Sequence, residues 1–138
     1  MTSQDNGRTQ KDIPNAEAHA ELYYAGMQMR RKVMGSSDFM QPMQQLVTEI
    51  GWASIWTRPG LELKQRSLIN IALLAYQNHP AELAGHIRGA VNNGATEIEI
   101  RETLLQTAVY CGAPTGMASF RVGEEIIQKL KQEGKLPN

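Results

Sequence analysis

Apolar residues recur at helical spacing along most of the chain, with polar residues between them, as in amphipathic helices. The first such stretch begins at Asn15, which can cap a helix, and stops at Gly35. Residues 1–14 before it are polar and end at a proline, so we expect them to form a flexible arm. The apolar positions of this first predicted helix are Leu22, Met29 and Val33.

A second helix is predicted from Asp38 to Trp56. Asp38 is a suitable cap, and Pro42 falls in or near the first turn, where its missing N–H is tolerated. Residues 57–60 follow as a turn, because they contain a proline followed by a glycine. The apolar face of this helix is formed by Met43, Leu46, Val47, Ile50 and Ile55.

A third predicted helix, from about Leu63 to Gln77, is apolar on nearly every side. Such a helix has to be buried on all sides, which in a chain of this size indicates packing against a second subunit. The fourth predicted helix begins at Pro80, a residue favoured in a first helical turn, and runs to Asn93. Gly94 then provides the stop.

Thr96 and Glu99 have the spacing of a capping box, which predicts the start of a fifth helix. We expect Gly112 and Pro114 to end that helix, and a sixth to cover the apolar positions from Met117 to Leu130. The alternation typical of strands is found nowhere in the sequence. The predicted fold class is therefore all-α, a compact bundle of about six helices.

The 138 residues are enough for one domain, which we place at residues 15–134. Fourteen basic residues balance fourteen acidic ones, so the charge does not favour nucleic acid or a membrane surface as a partner. No apolar run approaches the roughly 20 residues that span a bilayer, and the polar amino terminus does not resemble a targeting segment. We expect a cytoplasmic protein whose partner is a small molecule or another copy of the chain.

Cys111 is the single cysteine, so it can form no disulfide within the chain. A thiol–disulfide mechanism usually needs a second cysteine that resolves the first. We therefore interpret Cys111 as a structural residue.

The densest group of chemically capable residues is His79, Glu82 and His86, which lie on one stripe of the fourth predicted helix. They can face one pocket and take part in acid–base chemistry. In a plainer interpretation, His79 caps the helix, Glu82 is a solvated acid near the positive end of the helix dipole, and His86 is a hydrogen-bonded structural residue. A third interpretation is a zinc or iron site, for which the remaining histidine, His19, lies near the arm.

Arg66 and Arg88 are candidates for binding a substrate carboxylate, because a planar guanidinium can hold it through two hydrogen bonds. We favour Arg66, since it precedes the most apolar helix and would be held by it; either can also be an ordinary surface charge. Trp52, Trp56 and Tyr110 can wall an apolar pocket, although aromatic residues at helix ends are also common in cores.

From Gly26 to about Ile127 the sequence resembles the gamma-carboxymuconolactone decarboxylases. This resemblance implies an all-α fold of the AhpD-like type, assembled as a trimer or as a hexamer built from trimers. The blocks that carry it, in chain order, are Ile55-Trp56-Thr57-Arg58-Pro59-Gly60-Leu61, Arg66-Ser67-Leu68, Glu82-Leu83 with His86, Asn93-Gly94 with Thr96, and Tyr110 with Gly112 and Pro114.

The resemblance also separates two branches of the family. Thiol-dependent relatives carry two cysteines three residues apart, the second of them four residues before the histidine. Here His79 and Glu82 occupy those places, so the resemblance points to the decarboxylase branch.

In the reaction that the resemblance implies, an unsaturated lactone bearing a carboxylate loses carbon dioxide, and the lactone itself accepts the electrons. No metal or organic cofactor is therefore expected. We expect His86 to give a proton to carbon, Glu82 to orient or charge that histidine, and Arg66 to anchor a substrate carboxylate. The residues predicted to bind the rest of the substrate are Trp52, Trp56, His79, Tyr110 and Arg88.

The segment between the first two predicted helices, Gly35–Ser37, is shorter than is usual in the family, so a pocket wall or lid formed there would differ. This motivates an alternative: an enzyme of secondary metabolism, with the same fold, that decarboxylates, isomerises or dehydrates another beta-keto or vinylogous acid. A further alternative, from another class, is a non-catalytic oligomeric binding protein.

Overall fold

The computed structural model describes residues 39–138 and three earlier positions, Glu21, Tyr24 and Met29, which are helical. The predicted arm, the shortened Gly35–Ser37 segment and the rest of the first predicted helix lie outside the described residues.

Two compact units make up the chain, Met1–Gly60 and Leu61–Asn138, and each is described by itself. That residues 15–134 form a single domain stays a prediction. Every regular element within residues 39–138 is helical, which confirms the all-α fold class. In chain order these elements are α1 (Gln41–Leu46), a π-helix (Val47–Trp56), α2 (Leu63–Tyr76), α3 (Pro80–Asn92), α4 (Glu97–Cys111) and α5 (Ala113–Gln132).

The second predicted helix is divided between α1 and the π-helix. α1 has Pro42 in its first turn, as predicted. The π-helix, in which each N–H bonds to the carbonyl five residues back, then continues to the predicted end of the helix. Ser54 follows the same spacing, because its hydroxyl donates to the carbonyl of Glu49 at 2.7 Å. The helical prediction is confirmed for residues 41–56, but the helix begins after Met40 and not after the predicted cap Asp38, which lies outside the described residues. The change of helix type was not predicted.

α2 and α3 form an antiparallel hairpin, and their ends agree with the prediction to within a residue. Asn78 in the connecting turn has a φ of 56°, a left-handed conformation that asparagine adopts more readily than most residues. At the open end of the hairpin the Asn93 Nδ2 donates to the Ser67 Oγ at 2.9 Å. Gly94, with a φ of 91°, provides the predicted stop.

α4 starts with the predicted capping box. The Glu99 amide donates to the Thr96 Oγ1 at 3.1 Å, and the Thr96 amide donates to the Glu99 Oε2 at 2.9 Å. Gly112 alone separates α4 from α5, with a φ of 100° that favours glycine. α4 therefore ends where Gly112 and Pro114 were predicted to end it, and α5 begins at once at Ala113, because a proline is tolerated in a first turn.

Two glycines allow α4 and α5 to pack closely along their length. A Cβ added at Gly116 would lie 2.6 Å from the Ala108 Cβ, and one at Gly123 would lie 3.1 Å from the Leu104 Cδ1. These contacts also fix how the two antiparallel helices are aligned.

The core of the Leu61–Asn138 unit is formed by one side of each of its four helices. Within the single chain, Ile69, Leu73 and Tyr76 of α2 are exposed on the side opposite the core. The predicted burial of this side against a second subunit stays a prediction. The buried apolar residues are Ile71, Ala75, Leu83, Ile87, Ala90, Ala95, Ile100, Leu104, Ile126, Ile127 and Leu130.

None of the helices in the described part of the chain is long and apolar enough to cross a membrane.

Candidate active site

The central candidate, His86, lies on α3 and is half-buried. Its neighbours along the helix, Leu83, Ile87 and Ala90, all point into the core. Burial lowers the pKa of the His86 imidazole below its ordinary value of 6.5, because the charged form loses hydration in the fold. At neutral pH the imidazole is therefore mainly uncharged.

Glu82 precedes His86 by four residues, so the two side chains lie one above the other on the same face of α3. Glu82 is exposed and stands in the first turn of the helix, where a carboxylate interacts favourably with the helix dipole. This placement brings two of the predicted catalytic residues together. It also keeps the carboxylate in contact with water.

His79 is the residue just before α3, and its side chain makes no capping hydrogen bond. It lines a small cavity of about 190 Å³ beside the start of α3, together with Asn78, Ser119 and Arg121. His79 is exposed, whereas Ser119 is buried and donates to the carbonyl of Gly116.

Arg66 lies near the start of α2, at the opposite end of the hairpin from Glu82. The Ser67–Asn93 hydrogen bond aligns the two helices, and it places His86 roughly level with Leu74 on α2. The backbone of Arg66 therefore lies about eight residues, or about 12 Å along the helix axis, from the level of His86. The Arg66 side chain is half-buried, and its Nε is fully shielded from solvent.

Arg88 is engaged elsewhere. Its two terminal nitrogens donate to the two carboxylate oxygens of Glu133 at 3.0 and 3.1 Å, which joins α3 to the end of α5. The same hydrogen bonds raise the pKa of the Arg88 guanidinium and lower the pKa of the Glu133 carboxyl. To bind a substrate carboxylate, Arg88 would have to leave this partner.

Trp52 and Trp56 belong to the π-helix of the Met1–Gly60 unit. Their rings are stacked, with centroids 5.0 Å apart and planes inclined by 27°. The two residues form one aromatic surface, with Trp52 the more exposed.

Tyr110 lies at the end of α4 and is 79% exposed. It lines an open, mainly apolar groove between α2 and α4 of about 690 Å³, together with Tyr76, Leu73 and Cys111. Within the Leu61–Asn138 unit, this groove lies along helices other than α3, which carries His86.

The sequence interpretation missed Ser67 and Asn93 as members of the site. Ser67 is only 1% exposed, and its hydroxyl accepts from the Asn93 amide across the hairpin. Both residues stood in blocks that carry the family resemblance, but nothing in their local pattern indicated that they pair with each other. They hold the end of the hairpin next to Arg66.

Among the described residues, no group of three or more histidine, cysteine, aspartate or glutamate side chains is arranged to hold a metal ion. What the described side chains provide is a half-buried imidazole, a carboxylate one turn away, and a partly buried guanidinium further along the same hairpin.

Comparison with known proteins identifies the group to which this arrangement belongs. Residues 41–125 match the model of the "Carboxymuconolactone decarboxylase family". The chain belongs to the carboxymuconolactone decarboxylase family, and its helical fold is of the AhpD-like type that the resemblance implied.

Two relatives are named decarboxylases. The chain is 40% identical over 134 residues to "Nitrosuccinic acid decarboxylase npaB" of Metarhizium robertsii, an alignment that covers 90% of this chain and 94% of the relative. It is 33% identical over 120 residues to "4-carboxymuconolactone decarboxylase" of Acinetobacter baylyi, covering 80% of this chain and 90% of the relative. The chain is therefore an enzyme of the carboxy-lyase class.

Proposed function

We propose that this enzyme decarboxylates a small organic acid whose own electron-accepting group takes up the electron pair left by carbon dioxide. The proposal is supported by the two relatives, whose names give substrates of this kind. A lactone conjugated with a double bond can accept the pair as a dienolate, and a nitro group can accept it as a nitronate. The substrate then supplies the electron sink that a cofactor provides in other decarboxylases.

Nitrosuccinate is the first substrate to test, because the relative with that activity is the more similar of the two and is covered almost completely. Loss of the carboxylate on the carbon that bears the nitro group leaves a nitronate. Addition of one proton to that carbon gives 3-nitropropanoate, so the products are this acid and one carbon dioxide.

4-Carboxymuconolactone is the second candidate, favoured by the family model and by the Acinetobacter relative. Loss of its ring carboxylate sends electrons through the double bond onto the lactone oxygen. Protonation of carbon then completes the reaction.

In both reactions His86 gives the proton to carbon. Half-burial makes its imidazolium a stronger acid than a solvated one, because the pKa of His86 is lowered. Glu82, one turn earlier on α3, favours the charged form of the ring when the proton is taken up from solvent. The negative charge of a bound substrate has the same effect.

Arg66 holds the carboxylate that is not lost. The substrate then lies beside the hairpin, with the reacting carbon toward His86, and the long Arg66 side chain covers part of the distance between the two residues. The predicted contacts to the rest of the substrate remain the stacked Trp52 and Trp56, together with Tyr110 and His79. Arg88 remains a predicted contact only if it releases Glu133 and binds the substrate instead.

The deciding experiment is incubation of the purified chain with each acid, with release of carbon dioxide and formation of product followed by NMR. We expect turnover of one acid at a rate well above the spontaneous reaction. Absence of carbon dioxide from both acids, together with unchanged ligand affinity after replacement of His86, Glu82 and Arg66, would instead support the non-catalytic binding protein.

A homotrimer or homohexamer is part of the same proposal. Exposed apolar residues on α2 and α4 face the α2–α4 groove or flank it, and large apolar patches of this kind mark contact surfaces. Light scattering of the purified chain tests the assembly, and Leu73→Glu is expected to shift it toward smaller species. The exposed apolar and aromatic residues that line the groove are Ile69, Leu73, Tyr76 and Tyr110.

A further inference from the structure

A second groove runs between α4 and α5, away from the helix that carries His86. Its volume is about 370 Å³, within the usual size range of small-molecule sites. Its floor is apolar and includes the buried Leu104 and Ile127, and its walls include Met117 and Phe120. Met117 is exposed, so the groove can be reached from solvent.

Two arginines line the groove, one from each helix: Arg101 on α4 and Arg121 on α5, of which Arg121 also lines the small cavity beside His79. Both side chains are exposed, and neither forms an ion pair with any residue in the described part of the chain. Arg88, by contrast, is held by both oxygens of Glu133. The two groove arginines therefore have their hydrogen-bond donors available to a ligand.

Two glutamates lie in the same groove and reduce its positive charge unequally. Glu97 is paired with Lys131, with an Nζ–Oε2 distance of 2.9 Å. Glu124 has no ion pair within the described residues and partly offsets the two arginines. The charges of the four lining residues cancel, but Lys131 neutralises Glu97 from beside the groove, so the two arginines opposed by Glu124 leave an excess of one positive charge.

The packing of α4 against α5 sets the spacing of the two arginines. Gly116 lies against Ala108, Gly123 lies against Leu104, and the Lys131–Glu97 pair lies further along. In this alignment the backbone positions of Arg101 and Arg121 are separated by roughly 5 to 8 Å along the helix axis. A short linear dicarboxylate can bridge such a distance.

We propose that the α4–α5 groove is a second binding site, which takes an organic dicarboxylate with a hydrocarbon body. One carboxylate binds Arg101 and the other binds Arg121, each through paired N–H donors. The hydrocarbon body lies on Leu104 and Ile127 between the two arginines, and Met117 and Phe120 border the end of the site at Arg121. The site goes beyond the proposed decarboxylation, since it contains none of the residues assigned to that reaction.

The test is a titration of the full chain with adipate, followed through the ¹³C-labelled methyl group of Met117 by NMR, which also works in a large oligomer. We expect a saturable shift of the Met117 resonance. Arg101→Ala and Arg121→Ala should each weaken the binding by roughly tenfold or more, because each removes a charge-assisted contact. Glu124→Gln should tighten it, since it removes the opposing charge.

Lys129→Ala is the matched control. It removes one positive charge from the same helix, but Lys129 pairs with Glu125 and does not line the groove. We expect an unchanged dissociation constant for adipate in this variant. Leu104 and Ile127 are left intact throughout, and a circular-dichroism melt verifies that every variant is folded.

Three outcomes would overturn the site. The first is no saturable Met117 shift, and the second is equal affinity in the double arginine variant. The third is a Met117 resonance that changes with protein concentration and not with adipate, which would show a second copy of the chain in the groove. Decarboxylase activity is measured separately, so failure of this site and failure of the proposed reaction are distinguishable.

Discussion

The open end of the α2–α3 hairpin differs from its closed end, next to the connecting turn, in how the polar residues are paired. At the open end, the partly buried Asn93 donates a hydrogen bond of 2.9 Å to the buried Ser67, beside Arg66. At the closed end, Glu82 is exposed and His86 is half-buried with a lowered pKa. The hydrogen bond at the open end stabilises the hairpin, because it pairs polar groups of the two helices. The closed end retains a group whose charge can change.

Under the proposed function, the two ends have different roles: the open end fixes the hairpin and holds the substrate anchor, and the closed end transfers the proton. This arrangement also sets a length requirement, because a substrate that uses both ends has to lie along the hairpin.

The strongest test of these roles is His86→Ala. We expect kcat to fall by about 10² to 10⁴, because a general acid contributes that much to proton transfer. His79→Ala, which changes an exposed histidine next to the same helix, should have a smaller effect. A loss of less than tenfold in a folded His86→Ala protein would remove this residue from the mechanism.

Arg66→Ala tests whether the open end holds substrate. We expect KM to rise by roughly 10- to 100-fold, since a charge-assisted contact is lost, with Arg66→Lys restoring part of the affinity. Arg88→Ala is the matched arginine variant and should change KM less, because Arg88 is engaged by Glu133. Equal KM values for the wild type and Arg66→Ala would place the anchor elsewhere.

The pH dependence of kcat/KM tests which protonation state of His86, at the closed end, is active. If the His86 imidazolium donates the proton, kcat/KM should rise as the pH falls, with a midpoint below 6.5, and decline by up to about tenfold per unit above it. His86→Gln should lose this dependence. A rate that instead rises with pH through the same range would make neutral His86 the active form.

The same pKa predicts a change in stability. The folded state disfavours the charged ring, so His86 lowers the free energy of unfolding as the pH falls from about 6.5 through the depressed pKa. Thermal melts at pH 7.5 and 5.5 should therefore differ less for His86→Gln than for the wild type. An equal difference in both proteins would contradict this contribution.

At the open end, Ser67→Ala should reduce the free energy of unfolding by about 1–3 kcal/mol, because it leaves the Asn93 amide without its hydrogen-bond acceptor. The double variant, with Ser67→Ala and Asn93→Ala together, should lose less free energy of unfolding than the sum of the losses in the two single variants. Urea denaturation of the two single variants and the double variant measures this coupling. Strict additivity would mean that the pair does not act as a unit.

The smallest effect is expected from the surface pair Arg88–Glu133. Glu133→Gln should leave the free energy of unfolding nearly unchanged, since partly exposed ion pairs contribute little. A larger loss in the same urea experiment would show that the link between α3 and the end of α5 is important for the bundle.

Local signals were sufficient to predict most of the helices. The Thr96–Glu99 capping box, Pro80 at a helix start and Gly94 after a helix end each act within a few residues, so their effect can be inferred from the sequence. Pro114 did not reveal where the last helix begins, because a proline fits both the end of one helix and the first turn of the next. The π-helix could not be distinguished from an α-helix by its apolar spacing.

By itself, the sequence determined the all-helical class, the family and the stripe that contains Glu82 and His86, because these depend on spacing along one helix. Only the tertiary structure decided which residues lie opposite one another. It paired Ser67 with Asn93, joined Arg88 to Glu133, and separated Arg66 from His86 along the hairpin. The physical reason is that contacts between helices depend on how the helices are aligned, and that alignment comes from the packing of the whole core.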